Sequence, residues 1–137
     1  MPESEACPCC SGLSYGNCCA PFHKGTARPE TSEALMRSRY AAYVKQQIDY
    51  LRETLWPSEQ RKFDALGTLQ RATQSEWLGL EIVACEKGLA DDQQGTVTFV
   101  ARSRFEGMPF GETHEQREKS LFKRKAGRWY YVRALKE

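Results

Sequence analysis

Nowhere do 18 apolar residues follow one another, so no membrane-spanning helix is expected and no membrane insertion is predicted. The opening Met1-Pro2-Glu3-Ser4-Glu5 has neither the basic start nor the apolar stretch of a secretory leader. A cytoplasmic protein with reduced thiols is therefore expected. Internal repeats, low-complexity tracts and long linkers are absent. So are a glycine-rich phosphate loop and any nucleophile–base signature, which removes the commonest sequence markers of catalysis. An excess of one sign of charge is also lacking, the formal balance being only +2.

What is present suits one domain and a small appendage. The chain has 137 residues, of which 40% are hydrophobic and 11% aromatic, enough for one core and too few for two. The small net charge hides an asymmetry. Residues 1–94 sum to −3 and residues 95–137 to +5. The basic C-terminal part can attract phosphate-bearing partners, although Lys and Arg on a solvated strand face give the same count.

Residues 1–28 are rich in Cys, Pro, Gly and Ser and show no period. The stretch Gly25-Thr26-Ala27-Arg28-Pro29 is the predicted boundary with a domain spanning 29–137. Thr31 or Ser32 can cap a long helix in which Met36, Tyr40, Tyr43, Val44, Ile48, Leu51 and Leu55 form one apolar stripe. Trp56-Pro57 ends it. Ser58 can cap a second helix to about Ser75, weakened by Gly67. Strands follow: Trp77 to Cys85, an alternating run from Thr96 to Phe105, a polar run from about Thr113 to Lys125, and Arg128 to Ala134. Asp91 to Gly95, Gly107 to Gly111 and Ala126-Gly127 are the intervening turns. Helices followed by antiparallel strands predict an α+β layer structure, with helices on one face of the sheet. A curved sheet would leave a cone-shaped cavity against the long helix.

Five of the six cysteines lie between positions 7 and 19. Clustering of this kind in a reducing compartment points to a metal, and zinc takes four thiolates in a tetrahedron. Cys7 and Cys9 form one clamp around Pro8, Ser11-Gly12 permits a reversal, and Cys18 and Cys19 return as a second pair. Five thiols compete for four places. Adjacent residues rarely point at one metal, which disfavours Cys10 but counts equally against Cys18 with Cys19. His23 is a further candidate. Free thiols, a disulfide or a redox switch at Cys10 are the competing readings. Cys85, alone in a strand, is expected to be a small buried hydrophobe.

The string Cys7-Pro8-Cys9-Cys10-Ser11-Gly12, with Tyr15 and Cys18-Cys19, resembles the SEC-C motif, the zinc knuckle of the SecA translocation ATPase. Extended through His23-Lys24-Gly25, Glu33-Ala34-Leu35-Met36-Arg37-Ser38-Arg39-Tyr40, Trp77-Leu78-Gly79-Leu80 and Gly127-Arg128-Trp129-Tyr130-Tyr131-Val132, the chain is similar to the YchJ family of small bacterial proteins. The resemblance implies a knuckle followed by a nuclear-transport-factor-2-like domain, a cone of curved sheet and helices. It implies Cys7, Cys9, Cys18 and Cys19 as the ligands of a structural Zn2+, with Cys10 spare where the motif often has glycine. In SecA the knuckle docks a chaperone and the ribosome, so a protein, ribosome or nucleic-acid partner is implied. Relatives often add a second knuckle, whereas this chain ends at Lys136-Glu137, and a role needing two is not expected.

Two further functions compete with such an adaptor. A small-molecule binder or enzyme would use the cone, with Tyr43, Arg102, His114, Glu115 and Tyr130 as candidate polar groups. His114 and Glu115 are neighbours on a strand and should face opposite ways, which argues against an acid–base pair. Direct nucleic-acid binding would use the basic C-terminal part together with outward-facing aromatics among Trp129 to Tyr131.

Overall fold

The computed structural model describes residues 4–105 and 113–135. A small irregular segment with a 3-10 turn at Tyr15–Asn17 precedes helix α1 (Ala20–Lys24), and helices α2 (Ser32–Val44), α3 (Ile48–Glu53) and α4 (Ala65–Gln74) follow. Strands β1 (Ser75–Lys87), β2 (Gln94–Phe105), β3 (His114–Lys125) and β4 (Arg128–Leu135) then form one antiparallel sheet in the order β1-β2-β3-β4. The class is α+β, with a curved four-stranded sheet and helices, as the sequence pattern predicts.

Breaks in register help the sheet bend. One lies between Trp77 and Gly79, a second between Ile82 and Ala84, and a third between Leu121 and Phe122. An extra residue in one strand bends it and sharpens its twist. The concave face receives α2, where Leu35, Met36 and Tyr40 meet Leu80, Val97, Phe99, Ala101, Phe122 and Trp129 in the main core. Val97, Phe99 and Ala101 join this core, in line with the alternation of β2, and Thr98 and Val100 between them are buried outside it. Trp129 Nε1 also donates to the Glu30 carbonyl at 3.0 Å, which pins the last strand to the entry of α2.

Two helical expectations need correction. The stripe from Met36 to Leu55 is not one helix. It breaks after Val44, with Gln46 at φ 57°, and α3 restarts at Ile48. The break turns Tyr50 and Leu51 into a separate cluster with Ala42, flanked by Phe22, Tyr43, Ile48 and Phe63. The predicted helix from Ser58 is a 3-10 turn at Pro57–Lys62 followed by α4. The working cap is Asp64, whose side chain accepts from Gly67 N at 3.0 Å. The Ala126-Gly127 hairpin is tight, with φ of 53° and 77°. Cys85 is exposed rather than buried, because it sits at the edge of the layer, where its sulfur meets the polar Glu33 carboxylate of α2 at 3.6 Å and no apolar cover. The predicted turn at Gly107 to Gly111 lies outside the described residues.

Candidate metal centre and cavity

The cysteine segment opens as a miniature hairpin. Ala6 pairs with Ser14, and Cys7 N donates to the Leu13 carbonyl at 2.8 Å. Cys7 and Cys9 lie on this hairpin. Cys18 leaves the 3-10 turn with φ −129° and ψ −93°, and Cys19 caps α1. That conformation, neither helical nor extended, lets two consecutive side chains converge.

The sulfurs of Cys7, Cys9, Cys18 and Cys19 lie within 4.8 Å of one another. The Cys9–Cys18 separation is 3.6 Å and the Cys18–Cys19 separation 3.8 Å. A tetrahedron with metal–sulfur bonds of about 2.3 Å has an edge of about 3.8 Å, so the donor set fits a metal such as zinc. Three of the four are buried, and Ser11 Oγ lies 3.2 Å from Cys18 Sγ. The electrostatics agree. The Cys19 and Cys7 thiols hydrogen-bond to Cys9 and hold it far below the usual thiol range. Cys19 is pushed up by Cys7 and Cys9 and then by burial. Without a cation the cluster therefore retains thiol protons, which a bound metal must displace.

Cys10 and His23 lie outside this group. Cys10 sits at φ 66°, in the left-handed region where glycine is at ease, and its sulfur turns to the sheet. Leu80 N donates to it at 3.4 Å, beside the bulge at which Gly79 N donates to Tyr40 OH at 3.0 Å. Both nitrogens of His23 are engaged. Nε2 donates to the Ser38 carbonyl at 2.9 Å, which leaves Nδ1 to accept from Tyr15 OH at 2.5 Å. Burial lowers its pKa, which favours the neutral ring that this pattern requires. As a candidate ligand, His23 is thus replaced by His23 as a brace.

The cysteine segment lies against α2. Tyr15, Ala20 and Ala41 pack with the cysteines. Arg37 Nη1 donates to the Cys9 carbonyl at 2.7 Å, and Lys45 Nζ stands 4.8 Å from the Tyr15 ring centre and 3.7 Å from Glu5.

A second feature is a cavity of about 370 Å³ between α2, α4 and the concave sheet. Met36, Tyr40, Tyr43, Trp77, Phe99 and Tyr131 give it largely aromatic walls. Of the predicted candidates, Tyr43 and His114 line it. Arg102, Glu115 and Tyr130 do not. Arg102 bonds to Glu115 at 2.7 Å and Glu81 at 3.1 Å on the outer face, and Tyr130 meets Trp56 edge-on at 5.9 Å. Strand alternation is the reason: Arg102 lies between the inward Ala101 and Ser103, Glu115 between His114 and Gln116, and Tyr130 between Trp129 and Tyr131.

Sequence reasoning missed Arg39, Arg71, Gln116 and Glu118 in the lining. Gln116 and Glu118 continue the period of two from His114 and were findable by it. Tyr131 OH donates to Glu118 at 2.9 Å, Ser120 Oγ donates to the same oxygen, and Gln116 donates to the other at 3.1 Å. Burial, followed by the nearby Glu118 carboxylate, pushes the Tyr131 hydroxyl pKa up. Among the described residues no helix is long and apolar enough to cross a membrane.

Known proteins resemble this arrangement closely. The YchJ middle nuclear-transport-factor-2-like domain matches residues 31–134. A UPF0225 protein from Pectobacterium carotovorum is 43% identical over 129 residues, covering 94% of this chain and 82% of the relative. One from Geobacter sulfurreducens is 41% identical over 129 residues, covering 94% and 78%. The solution structure of a SEC-C motif containing protein from Rhodopseudomonas palustris superposes with a TM-score of 0.85 at 35% identity, covering 96% of this chain and 98% of the other. A SEC-C motif containing protein from Psychrobacter arcticus gives 0.82 at 30%, covering 96% and 83%.

Proposed function

This chain belongs to the YchJ family, also called UPF0225, and on that premise we propose that it is a zinc-bearing docking protein, its knuckle structural rather than catalytic. The observation that carries the reading is the convergence of four sulfurs within 4.8 Å of one another. Cys7, Cys9, Cys18 and Cys19 would hold the ion, and with four thiolates no position stays open for substrate. Zinc there supplies folding energy to a segment with little apolar surface of its own. The partner surface is the outer tip of the hairpin, where Leu13 stands 54% exposed, and the partner is a protein or a ribosomal particle.

The test uses the full chain and Leu13→Asp, which leaves all four thiols intact. Metal analysis should find one zinc per chain in both proteins. The unaltered chain should co-sediment with ribosomes or retain a defined protein partner, and the variant should lose that association. Identical capture by both proteins would remove the tip from the interface, and absence of zinc would remove the metal.

A second reading has its own support. The cone is not filled by its aromatic side chains, and Arg39, with two nitrogens unused, is among the residues that line the space they leave. A small-molecule site there is compatible with docking by the knuckle, since the two lie on different elements.

A further inference from the structure

Arg39 is 7% exposed and is held by one nitrogen only. Nη1 donates to the Leu51 carbonyl at 2.8 Å and to Thr54 Oγ1 at 2.6 Å, which anchors the group to α3. The guanidinium carbon stands 4.9 Å from the centre of the Tyr131 ring. Nε and Nη2 have no hydrogen-bond partner among the described residues. A buried guanidinium stays charged and carries five donors, so unused donors must face water or a ligand. Neither nitrogen is sealed off, because Ser75 Oγ is the one fully enclosed side-chain N or O atom without a partner among the described residues. Ser75 lines the same cavity.

The charges around this space are unequal. Two cations, Arg39 and Arg71, and one carboxylate, Glu118, line it, and His114 stands exposed in the same lining. Glu118 does not bond to Arg39: its oxygens take Tyr131 OH, Ser120 Oγ and Gln116 Nε2. The tyrosines at 40, 43 and 131 complete the titratable lining, and burial raises the pKa of Tyr40 to about 12, so that it stays neutral. The carboxylate is thus occupied by neutral donors, and the arginine beside it keeps two N–H groups for something else.

We propose that the cavity is a receptor site for a small aromatic carboxylate, with its carboxylate on the free edge of Arg39 and its ring between Tyr40, Tyr43, Trp77 and Phe99. The match is geometric: Nε–H and Nη2–H form a parallel pair that suits two carboxylate oxygens. A volume of about 370 Å³ holds a compact ligand of one or two rings. Arg71 adds long-range attraction for an anion. This inference rests on the small-molecule reading of the cone.

Benzoate and benzamide separate the two ideas, because they share a ring and differ in charge. Each is titrated into the zinc-loaded full chain at neutral pH, and binding is followed through the backbone amide resonances of Ser103, His114 and Gln116. Benzoate should bind about tenfold more tightly than benzamide or better, as a charge-assisted pair requires. Arg39→Lys should weaken benzoate by a similar factor and benzamide by much less. Arg39 also anchors α3, so Arg71→Gln, at an exposed position, provides a second variant and should weaken benzoate a few-fold. Equal binding of both probes would overturn the anion site and leave the small-molecule reading standing. Absence of shifts with either probe at millimolar concentration would overturn both. Benzoate shifts confined to the outer face around Trp56 and Lys123 would overturn the Arg39 assignment.

Discussion

Replacing His23 by alanine should cost stability without costing metal. The ring touches three elements: Tyr15 of the metal segment through Nδ1, Ser38 of α2 through Nε2, and Tyr50 of α3 by an edge contact with centres 4.8 Å apart. Two hydrogen bonds at about 1 kcal/mol each and an aromatic contact of about 1 kcal/mol give about 3 kcal/mol. For a chain of this size that corresponds to a fall in Tm of about 10 °C. Thermal unfolding by circular dichroism, with zinc measured on the same samples, is the assay. The effect should also depend on pH. Burial lowers the His23 pKa in the folded state, so the unfolded state takes up the proton first on acidification. The stabilisation is complete above the unfolded value of about 6.5 and fades as pH falls through the folded one. The gap between the two proteins should therefore narrow below about pH 6.5. An unchanged Tm would refute the bracing role. Loss of zinc from a variant that remains folded would make His23 a ligand and refute the assignment of its nitrogens.

Gly95→Ala should destabilise the sheet by about 2–3 kcal/mol, the cost of forcing a methyl into a closed space. Its Cβ would lie 2.4 Å from both Cα and N of Gly88, backbone atoms that cannot rotate away, and chemical denaturation checks the loss. When a strong chelator strips the zinc-loaded chain, the freed sulfurs should re-form thiols and take up protons, read with a pH indicator after subtracting the protons that the chelator releases on binding the same amount of zinc without protein. No proton uptake, with metal removed, would contradict the thiol cluster.

Much of the sheet could be read in advance because its rules are local. Val97, Phe99 and Ala101 alternate inward, and Ala126-Gly127 sits where a tight hairpin needs two positive φ angles. The helices were harder. Lys45-Gln46-Gln47 carries no glycine or proline, yet Gln46 adopts φ 57° because Tyr50 and Leu51 pack better on Ser38 and Ala42 than along the stripe. Asp64 was overlooked as a cap because Ser58 came first after the proline. The cysteines were legible as a cluster, but spacing alone could not tell whether Cys10 or Cys18 joins the converging four. A backbone angle decides that, φ 66° at the first and ψ −93° at the second. Arg39 was the least legible residue. A charged side chain in a helix reads as solvated, and only the Leu51 carbonyl and Thr54 hydroxyl, 12 and 15 residues away, account for its burial.

The sequential order of the four strands bears on how the chain assembles. Each strand pairs with the one made just before or after it, so most of the sheet forms through short-range closures. The bond from Trp129 to Glu30 spans 99 residues, and Phe122 and Trp129 are among the largest fully buried side chains. During synthesis the helical layer emerges first and waits for these two aromatic rings. The four thiols, by contrast, lie within 13 residues and precede every strand of the sheet. Their convergence can thus precede completion of the core, and a metal held there would give the nascent chain one fixed point while its fourth strand is still being made.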